Sequence, residues 1–170
     1  MESIGDLLKE WQTFYFTLAG ATATLMGLLF VSLSLHANQI HDEENSHFLR
    51  LARLTFSNYL MLLTLSLQML VPMRVRPQLI IPMAAVGVIG LFWTITLRNR
   101  GLKKSDPTTP FLRRSYYMAF ASYAVVLALS LIRFEIATLM YLLLTPIMLL
   151  TVTSVRNSWG LMMMLRTKSD

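Results

Sequence analysis

The sequence feature that most constrains the fold is a stretch near its start that carries no charged residue, 14–35, FYFTLAGATATLMGLLFVSLSL. An α-helix rises ~1.5 Å per residue, so this stretch reaches ~33 Å. The hydrocarbon core of a bilayer is ~30 Å thick. The stretch therefore predicts a membrane-spanning helix, and the rest of the chain has to be compatible with a bilayer.

The composition agrees with a membrane protein. Of the 170 residues, 55% are hydrophobic and only 14% are charged, and the mean hydropathy is +0.54, outside the range typical of soluble domains. We expect one integral membrane domain, all-α, a polytopic helical bundle of about five transmembrane helices. The predicted spans are 14–35, 54–71, 79–97, 116–132 and 136–155. An amphipathic segment, 3–12, either lies in the membrane interface or extends the first helix into water.

Small residues recur at helical spacing in the first span, where Ala19, Ala23 and Gly27 are four positions apart. Small side chains let helix backbones approach closely in lipid, so this pattern predicts that the first helix is the packing centre of the protein. A similar face is predicted in the third span. The predicted helix-packing residues are Ala19, Gly20, Ala23, Thr24, Gly27, Gly87 and Gly90.

The second span is the most polar one. Ser57, Met61, Thr64 and Gln68 follow each other at intervals of four, three and four residues, and Asn58 lies beside them. Polar side chains at this depth avoid lipid, so this polar stripe is expected to face inward. It either forms hydrogen bonds between helices or lines a pore.

The segment 98–114 sets the orientation, because it is rich in Lys and Arg and contains a single acid, Asp106. Short loops of this kind stay in the cytoplasm, which predicts the N-terminus outside and the C-terminus inside the cell. We expect these cations to face lipid headgroups rather than nucleic acid. They are Arg98, Arg100, Lys103, Lys104, Arg113 and Arg114.

Residues for catalysis or cofactor binding are sparse. No His, Asp or Glu lies within a predicted span to activate a nucleophile, and the chain has no cysteine, so we expect neither an enzyme nor a cofactor. The three histidines, His36, His41 and His47, lie beside acidic residues in one polar connection. Their spacing matches no standard metal motif, and a solvated, partly helical loop is expected; metal binding and pH sensing both stay open.

The end of the first span reads GLLFVSLS and fits the pattern GLxFVxxS through Gly27, Leu28, Phe30, Val31 and Ser34. In this it resembles a widespread group of small uncharacterised prokaryotic membrane proteins whose first helix has a Gly/Ala-rich half. Some members are loosely named modulators of a membrane protease. The resemblance implies a prokaryotic plasma (inner) membrane and an accessory role, and it supplies no catalytic residues.

Two functions of different class fit these features. In the first, the protein is a structural or regulatory module whose small-faced helices bind copies of itself or a larger membrane protein. In the second, it assembles as a homo-oligomeric ion channel lined by Ser57, Asn58, Thr64 and Gln68. We expect the first, because apolar residues flank the short polar stripe.

Overall fold

A computed structural model of the chain describes residues 4–35, 46–72, 75–101 and 110–166. These residues form five α-helices and confirm the predicted all-α bundle. The helices are α1 (Ile4–Leu35), α2 (Ser46–Leu70), α3 (Arg76–Gly101), α4 (Pro110–Leu131) and α5 (Ile136–Arg166).

The helices are longer than the predicted spans. Helix α1 begins at Ile4 and runs without interruption into the uncharged stretch, so the amphipathic segment is part of the first helix. Helices α2 and α4 begin before, and α5 ends well after, the predicted span. Hydropathy marks only the apolar part of a helix, whereas backbone hydrogen bonding continues into polar residues with adequate helix propensity.

The packing centre is α2, which contacts each of the other four helices. Helix α3 packs on α4 and α4 on α5, while α1 lies against α2 and touches α5 only lightly. The prediction that α1 is the packing centre is therefore wrong. Its bundle face carries Tyr15, Thr22 and Leu29, spaced seven residues apart and all buried. Ala19 is the one member of the predicted small-residue pattern of α1 that is buried with them.

Large apolar side chains fill the interior and also cover the outside. Leu62, Leu143 and Ile147 are at most 1% exposed, whereas Phe16 and Phe92 are more than 60% exposed on the outer surface. Within the described ranges, three helices are long and apolar enough to cross a membrane, namely parts of α1, α3 and α5. Exposed apolar side chains on such helices are what lipid contact requires.

A tight connection joins α4 to α5, in the gap between the predicted spans 116–132 and 136–155. Residues 132–135 are not helical, and the amide of Phe134 donates to the carbonyl of Ile132 over 3.0 Å. The guanidinium of Arg76, at the start of α3, donates to the carbonyl of Phe134 over 2.7 Å. This charged hydrogen bond holds the α4–α5 turn against the start of α3.

Candidate functional site: a buried polar layer and an uncovered face of α1

The polar stripe of the second span lies along the edge of the buried face of α2. Ser57 is buried, Met61 and Gln68 are half-buried, and Thr64 is exposed. The hydroxyl of Thr64 donates to the carbonyl of Leu60 in its own helix over 2.8 Å. The stripe is thus not one continuous inward face, because the spacing of four, three and four residues also fits the border between the core and lipid.

Asn58 behaves differently from the stripe and is fully buried. Its Oδ1 accepts a hydrogen bond of 3.0 Å from the hydroxyl of Tyr123, which joins α2 to α4 in the interior. Tyr123 is itself 1% exposed. A hydrogen bond from a tyrosine hydroxyl to an asparagine amide oxygen inside a membrane bundle fixes the register of the two helices.

Two further hydrogen bonds lie between helices on the side of Asn58 where α2 begins. The hydroxyl of Ser115 in α4 donates to Asn157 Oδ1 in α5 over 2.7 Å. The hydroxyls of Tyr59 in α2 and Ser158 in α5 lie 3.1 Å apart. Together with the Asn58–Tyr123 bond they form what we call the polar layer: Asn58, Tyr59, Ser115, Tyr123, Asn157 and Ser158.

Several buried polar atoms in and around the polar layer have no hydrogen-bond partner among the described residues. They include the Nδ2 atoms of Asn58 and Asn157 and the hydroxyls of Tyr116 and Ser154. Both amide atoms of Gln68, further along α2, belong to the same class. Burying such a group without a partner costs about 1–3 kcal/mol. Atoms of this kind are where internal water binds in bundles.

Most of the polar layer was missed from the sequence. Of its residues, the sequence singles out Asn58 alone. The sequence does contain a pattern that indicates buried polar residues in the other two helices. Tyr116 and Tyr123 are seven residues apart in α4, so they lie on the same side of it. Ser154, Asn157 and Ser158 share one side of α5. The spacing analysis that found the stripe in α2 would have found these residues in α4 and α5.

The small residues of α1 fall on two sides of the helix. Ala19 is buried, whereas Gly20, Ala23, Thr24 and Gly27 are exposed. A methyl group built on Gly20 or Gly27 would meet no atom of the described chain within 4 Å. At 100° per residue, both glycines point away from Tyr15 and Leu29. We call Gly20, Ala23, Thr24 and Gly27 the outer face of α1.

The two glycines of α3 have the opposite environment, because α4 lies directly against them. A Cβ atom on Gly87 would lie 3.0 Å from the Cβ of Leu127. A Cβ atom on Gly90 would overlap the ring of Tyr123. Glycine at these two positions permits the close approach of α3 and α4, and Gly90 leaves the space that Tyr123 needs to reach Asn58.

The described members of the predicted basic set lie at the end of the bundle where α3 ends and α4 begins. The side chains of Arg98, Arg113 and Arg114 are exposed there. On the same end, the guanidinium of Arg156 stacks 5.0 Å from the ring centre of Phe111. The side chain of Arg100, and Lys103 and Lys104 altogether, lie outside the described residues.

The histidine prediction concerns residues that the structure does not describe. His36 and His41 lie in the segment 36–45, and the side chain of His47 is likewise not described. Among the side chains that are described, no group of three or more His, Cys, Asp or Glu is arranged to hold a metal ion. The alternatives left open for the histidines therefore stay predictions.

Comparison with known proteins adds no family to this description. The chain matches no protein-family model, no curated protein and no solved structure. The resemblance of the first span to small prokaryotic membrane proteins remains a prediction. What the described residues establish is a helical bundle in which three helices are long and apolar enough to cross a membrane, with an internal polar layer and a small-residue face on α1 that the described chain leaves uncovered.

Proposed function

We propose that the protein is an integral membrane module without catalytic machinery, which uses the outer face of α1 to bind a second copy of itself or a larger membrane protein. In this proposal all five helices cross the plasma (inner) membrane of a prokaryote. The observation that carries the proposal is the open space around Gly20 and Gly27. Glycines at seven-residue spacing allow another helix backbone to come close.

The position of α1 supports this proposal. The helix is attached to the bundle mainly through α2. In its most apolar stretch of 18 residues, only 17% of the residues are buried. The outer face is exposed, and both of its glycines are free of contacts with the described chain at the Cβ position. An accessory role, which the resemblance of GLxFVxxS implies, would need such a surface.

We predict that Gly27→Leu weakens association about tenfold, because four added carbon atoms separate two helices that would otherwise touch, and tenfold corresponds to ~1.4 kcal/mol. A photoreactive residue at Val31, which is exposed on the same side of α1, would be cross-linked in native membranes. An adduct of twice the chain mass identifies a second copy, and any other mass identifies a partner to be sequenced.

The matched control is Ala21→Leu. Ala21 is also exposed on α1, but it does not belong to the outer face. The adduct should be strongly reduced in Gly27→Leu and kept in Ala21→Leu, with both variants unfolding at the temperature of the parent protein. Equal adduct in the two variants, or no adduct at Val31, would contradict the proposal.

The orientation is part of the proposal and has its own test. Because the chain contains no cysteine, single cysteines can report sidedness directly. We predict that Ser105→Cys, in the basic loop, is labelled by an impermeant maleimide only after cell lysis. Arg133→Cys, in the exposed α4–α5 turn, should be labelled in intact cells. The reverse pattern would place the N-terminus in the cytoplasm.

An ion pathway is the alternative, and the unpaired amide atoms of Asn58 and Gln68 favour it. The channel predicted from the sequence is homo-oligomeric and lined by α2; since α1, α3 and α5 all pack on α2, we propose that its pathway would run inside each protomer. Buried Leu62 and Leu65 lie between the two amides along α2 and would have to move. The test is ion flux across liposomes that contain the purified protein. Flux that is present with the parent protein and abolished by Gln68→Leu would establish this alternative in place of the module.

A further inference from the structure

A groove runs along the outside of the bundle between α1 and α3, and α2 forms its floor. Its volume is about 470 Å³, within the ~300–1,000 Å³ typical of ligand sites. Apolar side chains dominate its lining: Leu33 from α1, Phe56, Leu60 and Met61 from α2, and Ile89 and Trp93 from α3. At one end the lining includes Arg53.

A second cavity of about 490 Å³ continues the groove towards the basic end of the bundle. The two cavities share Arg53 and Trp93. The second one adds Arg50 from the start of α2, and Thr96 and Leu97 from the end of α3. The combined space is therefore apolar at one end and carries two guanidinium groups at the other.

The dimensions match one lipid chain. From Arg53 to Met61 the apolar floor of the groove extends eight residues along α2, which is ~12 Å at ~1.5 Å per residue and covers most of the depth of one leaflet. Half of a ~30 Å hydrocarbon core is ~15 Å, the depth that one acyl chain spans in its leaflet. Trp93 lies where the two cavities meet, as tryptophan does at membrane interfaces.

The charge selects the headgroup. A guanidinium binds phosphate oxygens through paired N–H donors, and each basic side chain near the surface of an anionic membrane contributes ~1 kcal/mol. A zwitterionic lipid would bring its own ammonium group against Arg50 and Arg53. We propose that this groove binds one anionic phospholipid, with an acyl chain between α1 and α3 and its phosphate at Arg53 and Arg50.

The test is native mass spectrometry of the full-length protein released from nanodiscs that contain equal amounts of phosphatidylglycerol and phosphatidylcholine. The parent protein should retain phosphatidylglycerol in preference. Arg53→Gln should lower the retained phosphatidylglycerol ~5-fold, the effect of ~1 kcal/mol at 25 °C. Arg133→Gln removes another exposed arginine, from the α4–α5 turn and outside both cavities, and should leave retention unchanged. Equal losses in the two variants would overturn the proposal, because they would indicate general charge attraction.

A second pair of variants tests the apolar part of the groove. Ile89→Trp fills it, since Ile89 lines the groove and is 50% exposed. Val88→Trp adds the same side chain at a neighbouring position that is equally exposed but outside the groove. Retained phosphatidylglycerol should fall in Ile89→Trp alone. Unchanged retention in Ile89→Trp would overturn the placement of the acyl chain, and with it the proposal.

Discussion

Replacing Gly90 by alanine is expected to destabilise the protein by about 1–3 kcal/mol, the cost of overpacking a filled core. The added methyl overlaps the ring of Tyr123, which is 1% exposed and hydrogen-bonded to Asn58, so the ring or the helix backbone has to shift. Alanine favours helix over glycine by ~0.8–1.0 kcal/mol, so the steric effect must exceed this gain. Equilibrium unfolding in mixed micelles, followed by circular dichroism, measures the difference.

The matched control for Gly90→Ala is Gly27→Ala in α1. No described atom lies within 4 Å of a methyl at Gly27, so this variant should be neutral, or more stable by up to ~1 kcal/mol from helix propensity. Replacing the ring of Tyr123 by a smaller side chain should also remove the overlap with the methyl group added at Gly90. The double variant Gly90→Ala, Tyr123→Leu should therefore lose less free energy of unfolding than the sum of the losses in the single variants. Additive costs would show that the ring of Tyr123 does not oppose the methyl group.

The contrast between these glycines shows what the sequence predicts and what it does not. Both belong to small-residue patterns at helical spacing, and in lipid such patterns indicate helix contact. In α3 the contact is made inside the chain, because α4 returns antiparallel after the basic loop and lies against Gly90. In α1 the larger residues Tyr15 and Leu29 occupy the bundle face. Spacing identifies a face but does not identify its neighbour.

The number and order of the helices could be predicted because each contains a long apolar run. The ends of the helices could not be predicted in this way. In the polar first turns of α2 and last turns of α5, the backbone N–H and C=O groups can bond to water as well as within a helix. The break between α4 and α5 can be predicted, because in one continuous helix Arg133 and Glu135 would lie deep in lipid, where each charge costs ~2.5–3.5 kcal/mol.

The candidate site was predicted only in part. Asn58 is recognisable because an amide within an apolar helix needs a partner. That its partner is Tyr123 depends on the register between α2 and α4, which no local pattern contains. Thr64 differs from Asn58, because its hydroxyl donates to a carbonyl in the preceding turn of its own helix. A threonine at this position therefore needs no hydrogen-bond partner from another helix.

The second large effect is expected at Asn58. Asn58→Leu removes the acceptor of the Tyr123 hydroxyl, which would stay buried without a partner, at a cost of about 1–3 kcal/mol. Thr64→Val is the matched control in the same helix, because it removes an exposed hydroxyl bonded only within α2, and it should change stability by less than ~0.5 kcal/mol. Both are measured by the same unfolding experiment.

A double-mutant cycle separates the hydrogen bond from the change in packing. Tyr123→Phe alone leaves Asn58 with a buried amide that has lost its one described partner. When Asn58→Leu is combined with Tyr123→Phe, no stranded polar group remains on either side. The pair should therefore be coupled by ~0.6–1.7 kcal/mol, the range found for hydrogen bonds between transmembrane helices. Costs that add within ~0.3–0.5 kcal/mol would mean that the bond does not hold α2 to α4. The other members of the polar layer would then have to set the register of the two helices.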